Sequence, residues 1–277
     1  VSGETRVLVL GASGRVGRLL RRAWFLAPPP AIRPIYQSRQ PGSGPDVVWR
    51  PGAPMDDLPP TEAILALWGV TSGDDLTQNA ALAREAARIA SHIGARRVLH
   101  LSSAAVYGPG CDGAHEEDAP RPTTPYGRAK VAMEREVATL NGGSAHTCLR
   151  LGNVVGADSL TAALDGTVPA RIDRFPTGAG PLRSYIAPGA LARVLAGLLR
   201  LDAGSLPPVL NIAAPEPVRM EDLLRAAGRP FDWQPAPPGA AERATLSTDR
   251  LATLLRGALP RSTAAEMITD WREVRPR

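Results

Sequence analysis

The sequence predicts an α/β fold in which a doubly wound parallel sheet is accompanied by a small C-terminal lobe. Three observations carry that expectation. Short runs rich in leucine and β-branched residues alternate with stretches of helical apolar spacing, as βαβ units do. A glycine-rich string, Gly11 to Gly17, joins the first such run to the first helical stretch. With 277 residues, the chain is long enough for one large domain plus a small lobe around a substantial core.

The expected strands are, in order, Arg6 to Leu10, Ile32 to Tyr36, Val47 to Trp49, Ala63 to Trp68, Arg97 to Ser102 and Thr147 to Leu151. Between them, Val16, Leu19, Leu20 and Ala23 recur at helical spacing, as do Leu82, Ala83, Ala86, Ala90 and Ile93. Helices on both faces of one sheet follow. Pro34 lies inside the second strand, and because proline has no ladder donor a short or distorted strand is expected there. Ala27 to Pro30, Pro41 to Pro45 and Pro235 to Gly239 are rich in proline and glycine and read as loops. No internal repeat is visible.

Composition narrows the class. No uninterrupted apolar run approaches the ~20 residues that span a bilayer, so no membrane span is expected. The chain runs from Val1 straight into its first strand without the charged leader and long apolar run of a secretory peptide, and a cytoplasmic protein is expected. Cys111 and Cys148 make neither a disulfide framework nor a CxxC pair. His92, His100 and His146 lack metal-ligand spacing, and no metal is expected. The formal charge of +5 is spread as arginines beside acids, without a basic block or an aromatic platform. Nucleic acid is therefore not an expected partner. Of the 32 cationic side chains a single one, Lys130, is lysine, and that position invites a chemical reason.

Gly11, Ala12, Ser13, Gly14, Arg15, Val16 and Gly17 follow the first strand at once and open the first helix. Small residues there let backbone approach a pyrophosphate, and the free N–H groups of a helix start favour its charge. A Rossmann-like dinucleotide site is expected. The second strand ends in Gln37, Ser38 and Arg39, without the carboxylate that grips the ribose of NAD. Ser38, Arg39 and the nearby Arg15 instead suit a 2′-phosphate, so NADP is the expected cofactor and NAD the alternative. Tyr126 and Lys130 stand four apart and share a helix face. A phenol is a poor acid or base at pH 7, but an ammonium beside it, with a positively charged oxidised nicotinamide, lowers its pKa. Ser102 and Ser103 end the fifth strand, at the sheet edge where ligands bind, and a hydroxyl there can stabilise a developing alkoxide.

These motifs together resemble extended short-chain dehydrogenase/reductases of the NAD(P)-dependent epimerase/dehydratase family. Leu101 to Gly108 is similar to the family's Ser-Ser-x-x-Val-Tyr-Gly segment, and Arg150 to Gly156 to its Arg-x-x-Asn-Val-x-Gly stretch. Asn211-Ile212, Asp249-Arg250-Leu251 and Trp271 resemble its C-terminal landmarks. The resemblance implies Ser103, Tyr126 and Lys130 as catalytic residues, with Tyr126 the acid/base and Lys130 holding both tyrosine and ribose. It places Leu67, Trp68, Gly69 and Asn79 at the cofactor, and Ser103, Asn153 and Arg183 at the substrate. The expected division is an NAD(P)-binding domain of residues 1–157 plus about 186–213, and a substrate-binding lobe of 158–185 plus 214–277. A homodimer through the helices around Leu82 to Ile93 and Pro125 to Leu140 is implied as well.

Two departures shape the functional expectation. Arg183-Ser184-Tyr185-Ile186-Ala187-Pro188 replaces the Arg-Asp-Tyr-Ile-His-Val of family members that act on nucleotide sugars, keeping only the arginine that meets a substrate phosphate, along with Tyr185 and Ile186. Ser103-Ala104-Ala105 replaces the Thr-Asp-Glu of its dehydratases, so dehydration is not expected. Cys111 and His115 read as parts of a glycine-rich loop. The expectation is an oxidoreductase that passes hydride to or from a secondary alcohol or ketone of a small sugar-like or nucleotide-sugar substrate, with reduction favoured. The alternatives are a nucleotide-sugar epimerase holding NAD tightly, a carbonyl reductase on a non-sugar substrate, and a non-catalytic NADP sensor.

Overall fold

The computed structural model describes residues 4–41, 46–73, 75–257, 259 and 263–275; positions 42–45 of the expected Pro41 to Pro45 loop lie outside them. The chain alternates β1 (Thr5–Leu10), α1 (Arg15–Leu26), β2 (Ile32–Ser38), β3 (Val47–Val48), β4 (Ala63–Ala66), α2 (Gln78–Ile93) and β5 (Arg97–Ser103). It continues with α3 (Pro125–Thr139), β6 (Ala145–Leu151), β7 (Asn153–Val154), α4 (Thr161–Asp165), β8 (Ala170–Arg174), β9 (Leu182–Arg183) and β10 (Tyr185–Ile186). Then come α5 (Pro188–Arg200), β11 (Val209–Ile212), β12 (Val218–Arg219), α6 (Met220–Ala227), β13 (Phe231–Pro235), β14 (Arg243–Ala244), α7 (Asp249–Leu254) and α8 (Ala264–Val274).

Seven strands form one parallel sheet in the order β11-β6-β5-β4-β1-β2-β3, so the topology reverses between β1 and β4. The period-2 alternation of side chains divides β1 between two cores. Val7 and Val9 pack with Leu19, Leu20 and Trp24 of α1 and with α5, whereas Leu8 and Leu10 pack with Ala86, Ile89 and Ile93 of α2. Burial on both faces explains why β1 and β4 read as continuous apolar runs. Trp24 also donates its indole N–H to the Ala192 carbonyl at 3.1 Å, tying α1 to α5.

The second strand is neither short nor broken at Pro34. It runs from Ile32 to Ser38, with Pro34 opposite Val7. On its other side β3 covers only Gln37 and Ser38, so at Pro34 the strand has one neighbour and the missing donor leaves no ladder incomplete. The third and fourth strands end earlier than expected, at Val48 and Ala66.

Beyond the main sheet, β8 pairs in parallel with β13, and β9 lies between β12 and β14. The last helix returns to the body of the molecule. Trp271 of α8 fills the space over Gly156, where an added Cβ would come within 2.1 Å of the indole nitrogen, and Asp270 accepts from the Gly189 N–H at the start of α5. On α2 and α3 the apolar side chains Ala83, Met133 and Val137 are buried together, while Arg84, Arg88, Arg128 and Arg135 face outward. Among the described residues no helix is long and apolar enough to cross a membrane.

Candidate active site

The glycine-rich turn is shaped by close approach. Gly11 has φ of +77°, and a Cβ there would sit 2.7 Å from the Trp68 nitrogen. A Cβ on Gly17 would lie 2.6 Å from the Gly11 carbonyl oxygen, so only glycine lets α1 begin this close to the turn. Gly14 caps α1 and donates to Gly11 at 3.0 Å, Ala12 is buried beneath, and Ser13 and Arg15 are exposed at the helix mouth. Val16 packs inward against the core. Gln37, at the end of β2, fixes this turn from behind: its side-chain carbonyl accepts from Gly11 N–H at 3.0 Å, its backbone carbonyl from Ala12 at 3.2 Å, and its amide donates to Trp49. Ser38 turns its hydroxyl onto Gln40, and Arg39 is exposed.

The loop after β4 forms the neighbouring wall. Leu67 donates to the Leu10 carbonyl at 3.0 Å, which holds Leu67, Trp68 and Gly69 beside the glycine-rich turn. Asn79 is buried in the first turn of α2 and spends its amide on the Val70 and Leu76 carbonyls at 3.0 and 2.8 Å. It therefore shapes the loop from within the protein. A Cβ on Gly69 would come within 2.9 Å of the Asn79 side chain and 3.2 Å of the Lys130 ammonium.

Helix α3 places Tyr126 and Lys130 one turn apart. Thr124 caps it by accepting from Gly127 N–H at 3.0 Å, and Pro125 suits the first turn because no donor is needed there. A Cβ on Gly127 would lie 2.5 Å from the Ala105 carbonyl oxygen, so the helix start packs directly on the turn after Ser103. Burial raises the Tyr126 phenol above its ordinary pKa, while the nearby Ser103 hydroxyl and the charge of Arg15 act against that rise. Lys130 donates to the Leu101 carbonyl at 2.8 Å and stands 5.9 Å from the Tyr126 ring centroid. Burial pulls its own pKa down to about 8. In the protein alone desolvation is the first cause for both groups, and Ser103 and Arg15 supply the opposing influences on Tyr126.

Beneath them lies a buried polar network. Ser102 donates to Glu134 at 2.6 Å, Glu134 pairs with Arg150 at 2.8 Å, and Arg150 donates to the Tyr107 hydroxyl at 2.9 Å. Tyr107 donates onward to Asn211 at 2.8 Å. Strand β5, helix α3 and strands β6 and β11 are thereby locked in register under Ser103 and Tyr126.

Ser103 and Tyr126 open onto a cavity of about 590 Å³ whose wall also includes residues of β8, β9, β13 and β14. Asn153 and Arg183 line it. So do Arg171, Asp173 and Gln234 on the paired strands β8 and β13, which local spacing did not single out. Gln37 was missed as well, although a lone amide among strand residues is a detectable sign. The polar residues of β8 carry no such sign, because their neighbours in space come from a strand some sixty positions away, with Asp173 opposite Gln234.

The NAD dependent epimerase/dehydratase family model matches residues 64–191. A dTDP-6-deoxy-L-talose 4-dehydrogenase (NAD(P)(+)) of Kitasatospora kifunensis is 27% identical, covering 97% of this chain and 95% of that protein. Among solved structures, UDP-glucuronic acid 4-epimerase from Bacillus cereus in complex with UDP-glucuronic acid and NAD matches with a TM-score of 0.78 at 18% identity, over 97% of this chain and 98% of that one. MoeE5 in complex with UDP-glucose and NAD matches with a TM-score of 0.77 at 21% identity, over 97% and 98%. At such identities the solved structures bear on the fold.

Proposed function

We propose that this chain is a nicotinamide-dependent enzyme of the NAD dependent epimerase/dehydratase family, as the family-model match over residues 64–191 and the 27%-identical relative support, and that it reduces a ketone to a secondary alcohol on a sugar-like substrate, in the manner of a nucleoside-diphosphate keto-sugar reductase. The observation that carries the reading is that Ser103 and Tyr126 share the wall of one cavity, with Lys130 5.9 Å from the Tyr126 ring centroid. The close-packed glycine turn at the start of α1 fits a dinucleotide, since added side-chain atoms at Gly11 or Gly17 would collide with backbone. Gly11 to Gly17, Leu67 to Gly69 and Lys130 are the residues that would hold it, and bound NADPH would supply the hydride.

Ser103 and Tyr126 direct their hydroxyls at the carbonyl oxygen, and Tyr126 delivers the proton as negative charge develops there. A phenol raised by burial is neutral at pH 7, which is the form a reductase needs. Lys130 positions Tyr126 from one side, and Asn153 and Arg183 help to wall the cavity that receives the substrate. Residues 1–157 with about 186–213 form the cofactor half of this reading, and 158–185 with 214–277 the substrate half. NADP is the proposed partner over NAD, because Gln37 is turned inward as a structural tie and Arg39 remains exposed at the end of β2. A homodimer through the helices around Leu82 to Ile93 and Pro125 to Leu140 completes the reading; a monomer mass by light scattering would count against it.

The decisive test is to denature the purified protein, identify any dinucleotide released, and then supply NADPH with a nucleoside-diphosphate 4-keto sugar. Consumption of NADPH by protein free of cofactor supports reduction. Stoichiometric oxidised cofactor that survives dialysis, with no net consumption of NADPH, overturns it in favour of epimerisation.

A further inference from the structure

Two arginines reach the substrate cavity, and they are not equivalent. Arg183 occupies the position at which the sequence pattern expects a phosphate ligand. Its guanidinium donates to the Leu182 and Glu242 carbonyls at 2.8 and 2.9 Å through one terminal nitrogen, and to the Ala241 carbonyl at 2.8 Å through the other. Three of the five N–H donors of an arginine are therefore spent on tying β9 to the 241–242 loop. Arg183 is half-buried and serves as a tie between β9 and the 241–242 segment.

Arg171 lines the same cavity from β8, is exposed, and has no hydrogen bond or ion pair among the described residues. All its donors are available in the planar fork that matches a phosphate. Nearby, Asp173 accepts from Gln234 at 2.7 Å and its charge acts on Arg183. The one carboxylate on the described cavity wall is thus engaged with other partners. An arginine left uncompensated on the wall of a partly enclosed site attracts an anion more strongly than it would on open surface.

We infer that Arg171, rather than Arg183, is the specificity residue that grips the substrate's anionic group, a phosphate or diphosphate remote from the reacting carbon. This rests on the oxidoreductase reading above and deepens it. A substrate so held carries its anion against β8 while its ketone faces Ser103 and Tyr126 across the cavity.

The test is calorimetric titration of the protein, saturated with NADP, with dTDP, UDP, inorganic pyrophosphate and a neutral sugar. Wild type, Arg171→Gln, Arg171→Lys and Arg183→Gln are compared, with thermal unfolding as a check on each. The diphosphates should bind wild type and the neutral sugar should not. Arg171→Gln should weaken diphosphate binding at least tenfold without changing NADPH affinity, and raise KM for a diphosphate-bearing ketone far more than it lowers kcat. Arg171→Lys should recover part of the loss, and Arg183→Gln should act mainly by lowering the unfolding temperature. Tighter binding of dTDP and UDP than of pyrophosphate assigns the anion to a nucleoside diphosphate; equal binding assigns it to a bare phosphate group. Binding by Arg171→Gln within twofold of wild type, or a larger loss in Arg183→Gln, overturns the inference. Wild type that consumes NADPH with a ketone but binds no diphosphate also overturns it while leaving the reductase reading intact, whereas failure to bind NADPH overturns that reading itself.

Discussion

Tyr126 and Lys130 are moved by burial in opposite directions, the phenol upward and the ammonium down to about 8, and both movements favour the neutral form. For Lys130 the consequence is measurable. Its folded pKa is depressed, so the ammonium is present below about pH 8 and lost above it. The kcat/KM for reduction reports the free enzyme and should fall as pH rises through about 8, and Lys130→Arg should remove that limb. A profile unchanged by the substitution would separate the limb from Lys130. Tyr126→Phe should lower kcat by roughly 10²–10⁴-fold, the usual worth of a general acid, with cofactor affinity nearly intact. Arg39→Ala should weaken NADPH binding about tenfold or more and leave NADH unaffected, since only the former offers a 2′-phosphate to a charged donor. Equal loss for both dinucleotides would remove Arg39 from the phosphate pocket.

At the scale of elements, α3 is held to the sheet by an ion pair as well as by apolar packing. Glu134 and Arg150 are both almost fully buried and share their remaining capacity with Ser102 and Tyr107. Removing one partner strands the other charge, so Glu134→Ala should cost about 3–5 kcal/mol of stability by denaturant titration. A loss under about 1 kcal/mol would mean that solvent reaches Arg150. This network also shows why legibility stops where it does. The strands and helices of the sheet, the glycine turn and the Tyr126/Lys130 pair are written in local periods of two, three and four residues, and they were readable. Gln37 on Gly11, and Arg171 and Gln234 on one cavity wall, depend on pairings between separate segments of the chain. Local spacing carries none of that information. Pro34 was misread for the same reason: whether proline harms a strand depends on which neighbours flank it, and β3 stops short of it.

Across the whole molecule, the pH range of stability is tied to a pair of histidines in the middle of the sheet. His100 on β5 and His146 on β6 lie with ring nitrogens 3.0 Å apart and rings stacked at 5.3 Å between centroids. Burial, then His146 and Lys130, pull the His100 pKa down to about 3, and burial lowers His146 as well. Above pH 6.5, the ordinary histidine value, both states of His100 are neutral and its contribution to stability is fully present. As pH falls below that value the unfolded chain takes up a proton that folded His100 refuses, and stability falls by about 1.4 kcal/mol per pH unit on account of His100, until its folded pKa near 3 is reached. Asp158 and Asp270 bend the curve the other way, because burial raises both carboxyls and the folded state then binds protons more readily than the unfolded one. The comparison must therefore be between wild type and His100→Gln over the same range. Urea midpoints taken at intervals from pH 7.5 to 5 should fall more steeply for wild type, with a difference of about 2 kcal/mol accumulating by pH 5. Parallel curves for the two proteins would show that His100 already titrates in the folded sheet as it does in water.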